Sequence, residues 1–143
     1  MRAISLDIAP GEFFAVLGPN GAGKTTTIKM IAGLLRPSSG RILLCGNDIY
    51  EDPIAAKRVC AYVPDQPFLY DKLSGIEFMN FIADLYGLEG ESRRKELDRL
   101  VDLFNLKDFV RELTESYSHG MKQRLVLAAT LLHKPKVILV DEP

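Results

Sequence analysis

The stretch GPNGAGKTT, Gly18 to Thr26, constrains this chain more than anything else in it. It matches G-x-x-x-x-G-K-S/T, with an apolar run ahead of it and a helical pattern behind. Glycines let the backbone curl until successive amides converge on one point, and they keep side chains out of the way. The helix opening near Lys24 turns the positive end of its dipole toward that point. The loop residues Gly18, Pro19, Asn20, Gly21, Ala22, Gly23, Lys24, Thr25 and Thr26 are therefore read as a phosphate cradle. Lys24 supplies a point charge for the β- and γ-phosphates, and the Thr25 hydroxyl is offered to Mg²⁺. The motif alone specifies a nucleoside triphosphate site, shared by GTPases, kinases, helicases and transport ATPases.

The rest of the chain is organised around that loop. Ile4 to Ile8 alternates apolar and polar residues, Pro10-Gly11 turns the chain, and Glu12 to Leu17 is a continuous apolar run. These patterns predict a half-buried strand followed by a buried one. Helical spacing runs from Lys24 to Leu35, with Pro37 as the stop. Arg41–Cys45 and Val59–Val63 read as further strands. Ser74 with Glu77 forms a capping box ahead of an apolar face at Ile76, Met79, Phe81, Ile82 and Leu85. A second helix spans about 91–104, with Leu97, Leu100, Val101 and Phe104 on one stripe and RRKE on a solvated face. A third runs from Gly120 to His133, where Pro135 ends it.

Val137 to Val140 is a buried strand that delivers Asp141 and Glu142 at its C-terminal end, where ligands sit in open α/β sheets. Asp141 is the candidate Mg²⁺ carboxylate, and Glu142 the candidate general base that orients and deprotonates water. Strands, a helical block and a return to a strand predict an α/β fold: a RecA-like P-loop core of residues 1–70 and 135–143, with a helical subdomain at 71–134.

Composition removes several alternatives. A net charge of -1 gives no global attraction to nucleic acid. Cys45, Cys60, His119 and His133 lack metal-site spacing, so the cysteines read as core residues of a reducing compartment. No apolar run approaches the ~20 residues that span a bilayer, so a cytoplasmic chain is expected, with any membrane connection made through a partner.

YSHGMKQRL, Tyr117 to Leu125, lies between the phosphate loop and the acidic pair and opens a helix. Together these elements resemble the ATP-binding subunits of ABC transporters, most closely bacterial multidrug or ion exporters. The stretch is similar to the family's LSGGQ signature. Ser118 and Gly120 match it, whereas Tyr117, His119 and Met121 depart from it. Pro10-Gly11-Glu12 and YVPDQPFLYDKLSG, Tyr62 to Gly75, extend the resemblance across the chain. It implies that two subunits pair head to tail. In a homo- or heterodimer, ATP and Mg²⁺ would be sandwiched between one subunit's phosphate loop and the other's signature, which in this chain is Ser118, His119 and Gly120. It also implies a membrane permease against the Tyr62–Gly75 segment, ATP hydrolysis that drives transport, and a location at the inner face of the cell membrane. The family's Mg²⁺-sensing glutamine falls at Asp65 or Gln66, and spacing favours Asp65. Family members carry an adenine-stacking aromatic upstream and a γ-phosphate histidine downstream of the regions matched here, so a single domain truncated at both ends is expected. Two rival readings are an ABC-type ATPase acting on nucleic acid or the ribosome, marked by a second cassette or coiled-coil insertions, and a non-hydrolysing nucleotide-binding fragment.

Overall fold

The computed structural model describes residues 3–142. Met1, Arg2 and Pro143, the last residue of the VILVDEP stretch, lie outside the described residues.

Helix α1 (Lys24–Ile31) follows the phosphate loop directly. It stops four residues short of the expected Leu35, and the reason is Gly33 rather than Pro37. The Gly33 amide bonds Met30 O at 3.1 Å and the Leu34 amide bonds Lys29 O at 2.8 Å, closing the helix with Gly33 at φ 74°. The expected strand at Arg41–Cys45 shrinks to β1 (Leu43–Leu44), paired antiparallel with β2 (Asn47–Asp48). Cys45 and Gly46, at φ 49° and 82°, form the two-residue turn that such a hairpin favours. Helix α2 (Pro53–Arg58) escaped the sequence reading, although Asp52 caps it and Pro53 sits in its first turn, an ordinary start signal.

Strand β3 (Cys60–Val63) pairs in parallel with β4 (Val137–Val140), in the register Cys60↔Val137 through Val63↔Val140. Between them lie α3 (Gly75–Leu85), α4 (Gly90–Leu103) and α5 (His119–Leu131). The Ser74–Glu77 capping box of α3 is formed in both directions. The buried face of α3 is Phe78, Met79 and Ala83, while Phe81 and Leu85 point outward. Phe81 instead meets Tyr70 edge-to-face at 5.6 Å. RRKE is not a uniformly solvated face either. Arg93 reaches back to Asn80 Oδ1 at 2.8 Å, and the nearly buried Glu96 carboxylate is held by Arg99 at 2.6 Å. That guanidinium keeps the Glu96 pKa below its ordinary value against the opposing effect of burial.

Two apolar clusters result. One joins α3, α4 and α5 through Met79, Leu100, Leu106, Leu125 and Leu132. The other is smaller, with Leu44, Ile49, Ala56 and Cys60 at its centre and Ile31, Val137 and Leu139 at its margin. Gly75 is required where the segments close, because a Cβ there would run into Tyr117 Oη and the Val110 backbone.

The two strands expected at Ile4–Ile8 and Glu12–Leu17 are not formed. Those residues are exposed, Phe13 by 94% and Leu17 by 91%, and the local order is a turn in which Glu12 N–H meets Ala9 O at 3.1 Å. A strand exists only as part of a ladder, and neither segment is paired with a neighbour.

Candidate nucleotide site

Gly21 and Gly23 adopt φ 81° and 93°, conformations that a side chain resists. Ala22 N–H bonds Pro19 O at 3.1 Å, so the loop doubles back before Gly23 caps α1. The first turn of α1 holds no acidic residue, which leaves its free amides and positive dipole end for an anion. The Lys24 ammonium spans the loop mouth, donating to Gly18 O at 2.5 Å and Pro19 O at 3.0 Å. Gly18, Pro19, Asn20, Ala22 and Thr26 are all exposed around it.

Residues far apart in sequence meet here. Thr25 Oγ1 donates to Asp141 Oδ1 at 3.0 Å, joining the phosphate helix to the end of β4. Asp141 is only 4% exposed, and its amide bonds Val63 O at 3.0 Å, which extends the β3–β4 ladder. Among the described residues no cation forms an ion pair with it. A hydroxyl and a carboxylate side by side at the loop mouth are the hard oxygen donors that suit Mg²⁺, which usually takes few protein ligands and completes its octahedron with phosphate oxygens and water. The donor set fits that ion.

Glu142 is exposed, next to Asp141, with its backbone at φ 52°. Asp65 and Gln66 lie exposed just beyond β3, and their side chains meet at 3.4 Å. Ser118 caps α5, accepting Met121 N–H at 3.3 Å, and leaves His119 and Gly120 exposed at that helix start. Tyr117, where the signature has leucine, is buried. Its hydroxyl donates to Phe109 O at 2.7 Å, and its ring packs edge-to-face on Phe109. The substitution therefore serves the helical cluster.

Tyr62 opens the Tyr62–Gly75 segment, but the sequence reading passed over it as a site residue. It sits half-buried on β3 beside Asp141. Burial raises its pKa, and the nearby charges of Asp141 and Asp65 raise it further. Only the parallel register of β3 with β4 brings Tyr62 and Asp141 together, and no local pattern encodes a register.

Over residues 1–143 the chain matches the family described as ABC transporter. It is 38% identical over 140 residues to a probable multidrug ABC transporter ATP-binding protein, YbhF, of Escherichia coli (strain K12), covering 98% of this chain and 24% of that protein. It is 37% identical over 144 residues to the ABC transporter ATP-binding protein NatA of Bacillus subtilis (strain 168), covering all of this chain and 58% of NatA. A solved ATP-binding subunit of an ABC transporter superposes with a TM-score of 0.81 at 34% identity, covering 87% of this chain and 52% of its own length. CbiO1 from Clostridium perfringens, part of the ABC transporter complex cbiONQ, gives 0.76 at 30% identity over 89% of this chain and 52% of its own length. The chain thus spans from a quarter to somewhat over half of these relatives. With its phosphate loop joined to an acidic strand end on an α/β frame, it belongs to the ABC transporter family and has the P-loop NTPase fold of that family's ATP-binding subunits.

Proposed function

We propose that this chain binds Mg²⁺–ATP as the nucleotide-binding part of an ABC transporter subunit, and that the complete protein hydrolyses ATP to drive a partner permease. The observation that carries this reading is the 3.0 Å bond between Thr25 and Asp141 at the mouth of the Gly18–Thr26 loop. Loop amides and the α1 dipole hold the phosphates, and Lys24 leaves its carbonyl tethers for the β- and γ-oxygens. Thr25 and Asp141 would hold Mg²⁺, which on binding neutralises charge building on the phosphates. Glu142, exposed beside that site, is assigned to orient the attacking water and take its proton.

Ser118, His119 and Gly120 are assigned to the γ-phosphate of ATP held by a second ATP-binding subunit. The α5 start supports this, since Ser118, His119 and Gly120 are all exposed there. Asp65 is favoured over Gln66 as the Mg²⁺- and water-sensing position by its spacing before the Phe68-Leu69-Tyr70 stretch. Residues 1–70 and 135–143 are assigned to the nucleotide core and 71–134 to the helical subdomain. The permease would sit against the Tyr62–Gly75 segment, which places the subunit at the inner face of a membrane. Among the described residues no helix is long and apolar enough to cross one.

Equilibrium binding of a fluorescent ATP analogue to the wild-type chain and to Lys24→Ala tests the core of this reading. Loss of a charged donor to phosphate is expected to cost about 3 kcal/mol, roughly a hundredfold in affinity. Unchanged affinity in the variant would remove the site assignment.

A further inference from the structure

Tyr62 and the buried Asp141 lie on neighbouring strands whose register is fixed. Tyr62 pairs with Leu139, and in a parallel ladder paired residues project to the same face. Asp141 lies two residues beyond Leu139 and so returns to that face, one step further along the strand direction. Strand side chains lean along the strand, and a tyrosine is long enough to bring its hydroxyl over that step. Asp141 N–H bonded to Val63 O keeps β4 from drifting away from β3 at this point.

A carboxylate 4% exposed, with no cation paired to it among the described residues, depends on hydroxyl donors. Thr25 supplies one, at Oδ1. The Thr25 oxygen could coordinate Mg²⁺ while its proton is still donated to Asp141, but that single donor fixes only one of the two carboxylate oxygens. A second donor on the neighbouring strand, anchored in the sheet and independent of the phosphate loop, would keep the carboxylate aimed.

We propose that Tyr62 is a positioning residue for Asp141, holding the carboxylate from the β3 side in the orientation that receives Mg²⁺ with bound ATP. The inference rests on the assignment of Asp141 to Mg²⁺. Hydrogen-bonded partners of metal ligands typically change metal affinity by about tenfold or more when removed, without changing the ligand set.

The test compares wild type, Tyr62→Phe and Asp141→Asn in two readouts. One is the affinity for a fluorescent ATP analogue, with Mg²⁺ and with EDTA. The other is Mn²⁺ bound in the presence of ATP, counted by electron paramagnetic resonance. Tyr62→Phe keeps the ring and its packing, so its EDTA affinity is expected to match wild type, which also certifies a folded phosphate loop. Its Mn²⁺ affinity and its Mg²⁺-dependent gain in ATP affinity should fall about tenfold. Asp141→Asn should lose more of both. A metal-specific loss in Asp141→Asn with none in Tyr62→Phe overturns the role of Tyr62 alone. No metal-specific loss in Asp141→Asn overturns the site assignment beneath it. An equal fall with Mg²⁺ and with EDTA in Tyr62→Phe marks a packing role and also overturns the inference.

Discussion

The helical block and the segment leading into the phosphate loop are built from similarly apolar sequence, yet one is packed and the other is not. Residues 3–17 make a single local turn and leave Phe13 and Leu17 almost fully exposed. From Ser74 to Leu132 the chain closes on itself through caps and glycine turns. After α3, Gly87 N–H meets Asp84 O and Leu88 N–H meets Ala83 O. After α4, Asn105 and Leu106 repeat the pattern on Asp102 and Val101. A helix satisfies its backbone within its own segment, whereas an apolar run meant for a sheet needs a partner from elsewhere in the chain.

The contrast is broken most directly by large-to-small substitution. Leu100→Ala, at a fully buried position shared by the helical cluster, is expected to cost about 2–5 kcal/mol in urea unfolding. A loss below 1 kcal/mol would mean that the block is not the stable part of the molecule. Ser74→Ala removes one half of the capping box and should cost about 1 kcal/mol, with helical circular dichroism retained.

A pH titration sharpens the comparison at the seam between the block and the sheet. His133 stacks on Tyr86 with ring centres 3.8 Å apart, and its Nε2 meets Cys60 O at 3.0 Å. The carbonyl assigns the proton to Nε2 and leaves the buried Nδ1 without a partner. Burial lowers the His133 pKa, outweighing the raising effect of that hydrogen bond. The unfolded chain therefore takes up the proton first as pH falls. The His133 contribution to stability should be intact above the ordinary histidine value of about 6.5 and decline as pH drops through the lower folded value. His133→Phe should flatten that slope, and an unchanged slope would assign the titration to another group. The smallest effect belongs to the leading segment. Phe13→Ser is expected to change unfolding stability by less than about 0.5 kcal/mol, and a larger loss would show the segment to be packed.

Legibility in the sequence followed the same divide. Ser74 and Glu77 announced α3, and Leu97, Leu100 and Val101 announced the stripe of α4, because cap and period are written within a few residues. The phosphate loop and the span of Val137–Val140 were equally plain, but that strand is not buried throughout, since Ile138 and Val140 are exposed. Leu35 was misplaced inside α1 because the Pro37 stop drew attention from Gly33, whose positive φ ends the helix earlier. Phe78 was missed and Phe81 misplaced on α3, since adjacent aromatics blur the period on which a face is judged. Thr25 and Asp141 were each legible as candidates, but their contact and the approach of Tyr62 depend on how β3 and β4 align.

The bond from Thr25 to Asp141 joins positions 116 residues apart. A ribosome extends a chain at roughly 5–20 residues per second and releases it from the N-terminal side. Every member of the helical cluster has thus been synthesised before Asp141 is added. The order of assembly is thereby biased: an apolar nucleus can consolidate early, while the anion cup stays half-built until translation has passed the acidic strand. A nascent chain paused before that strand would lack the contact that joins the loop to the sheet.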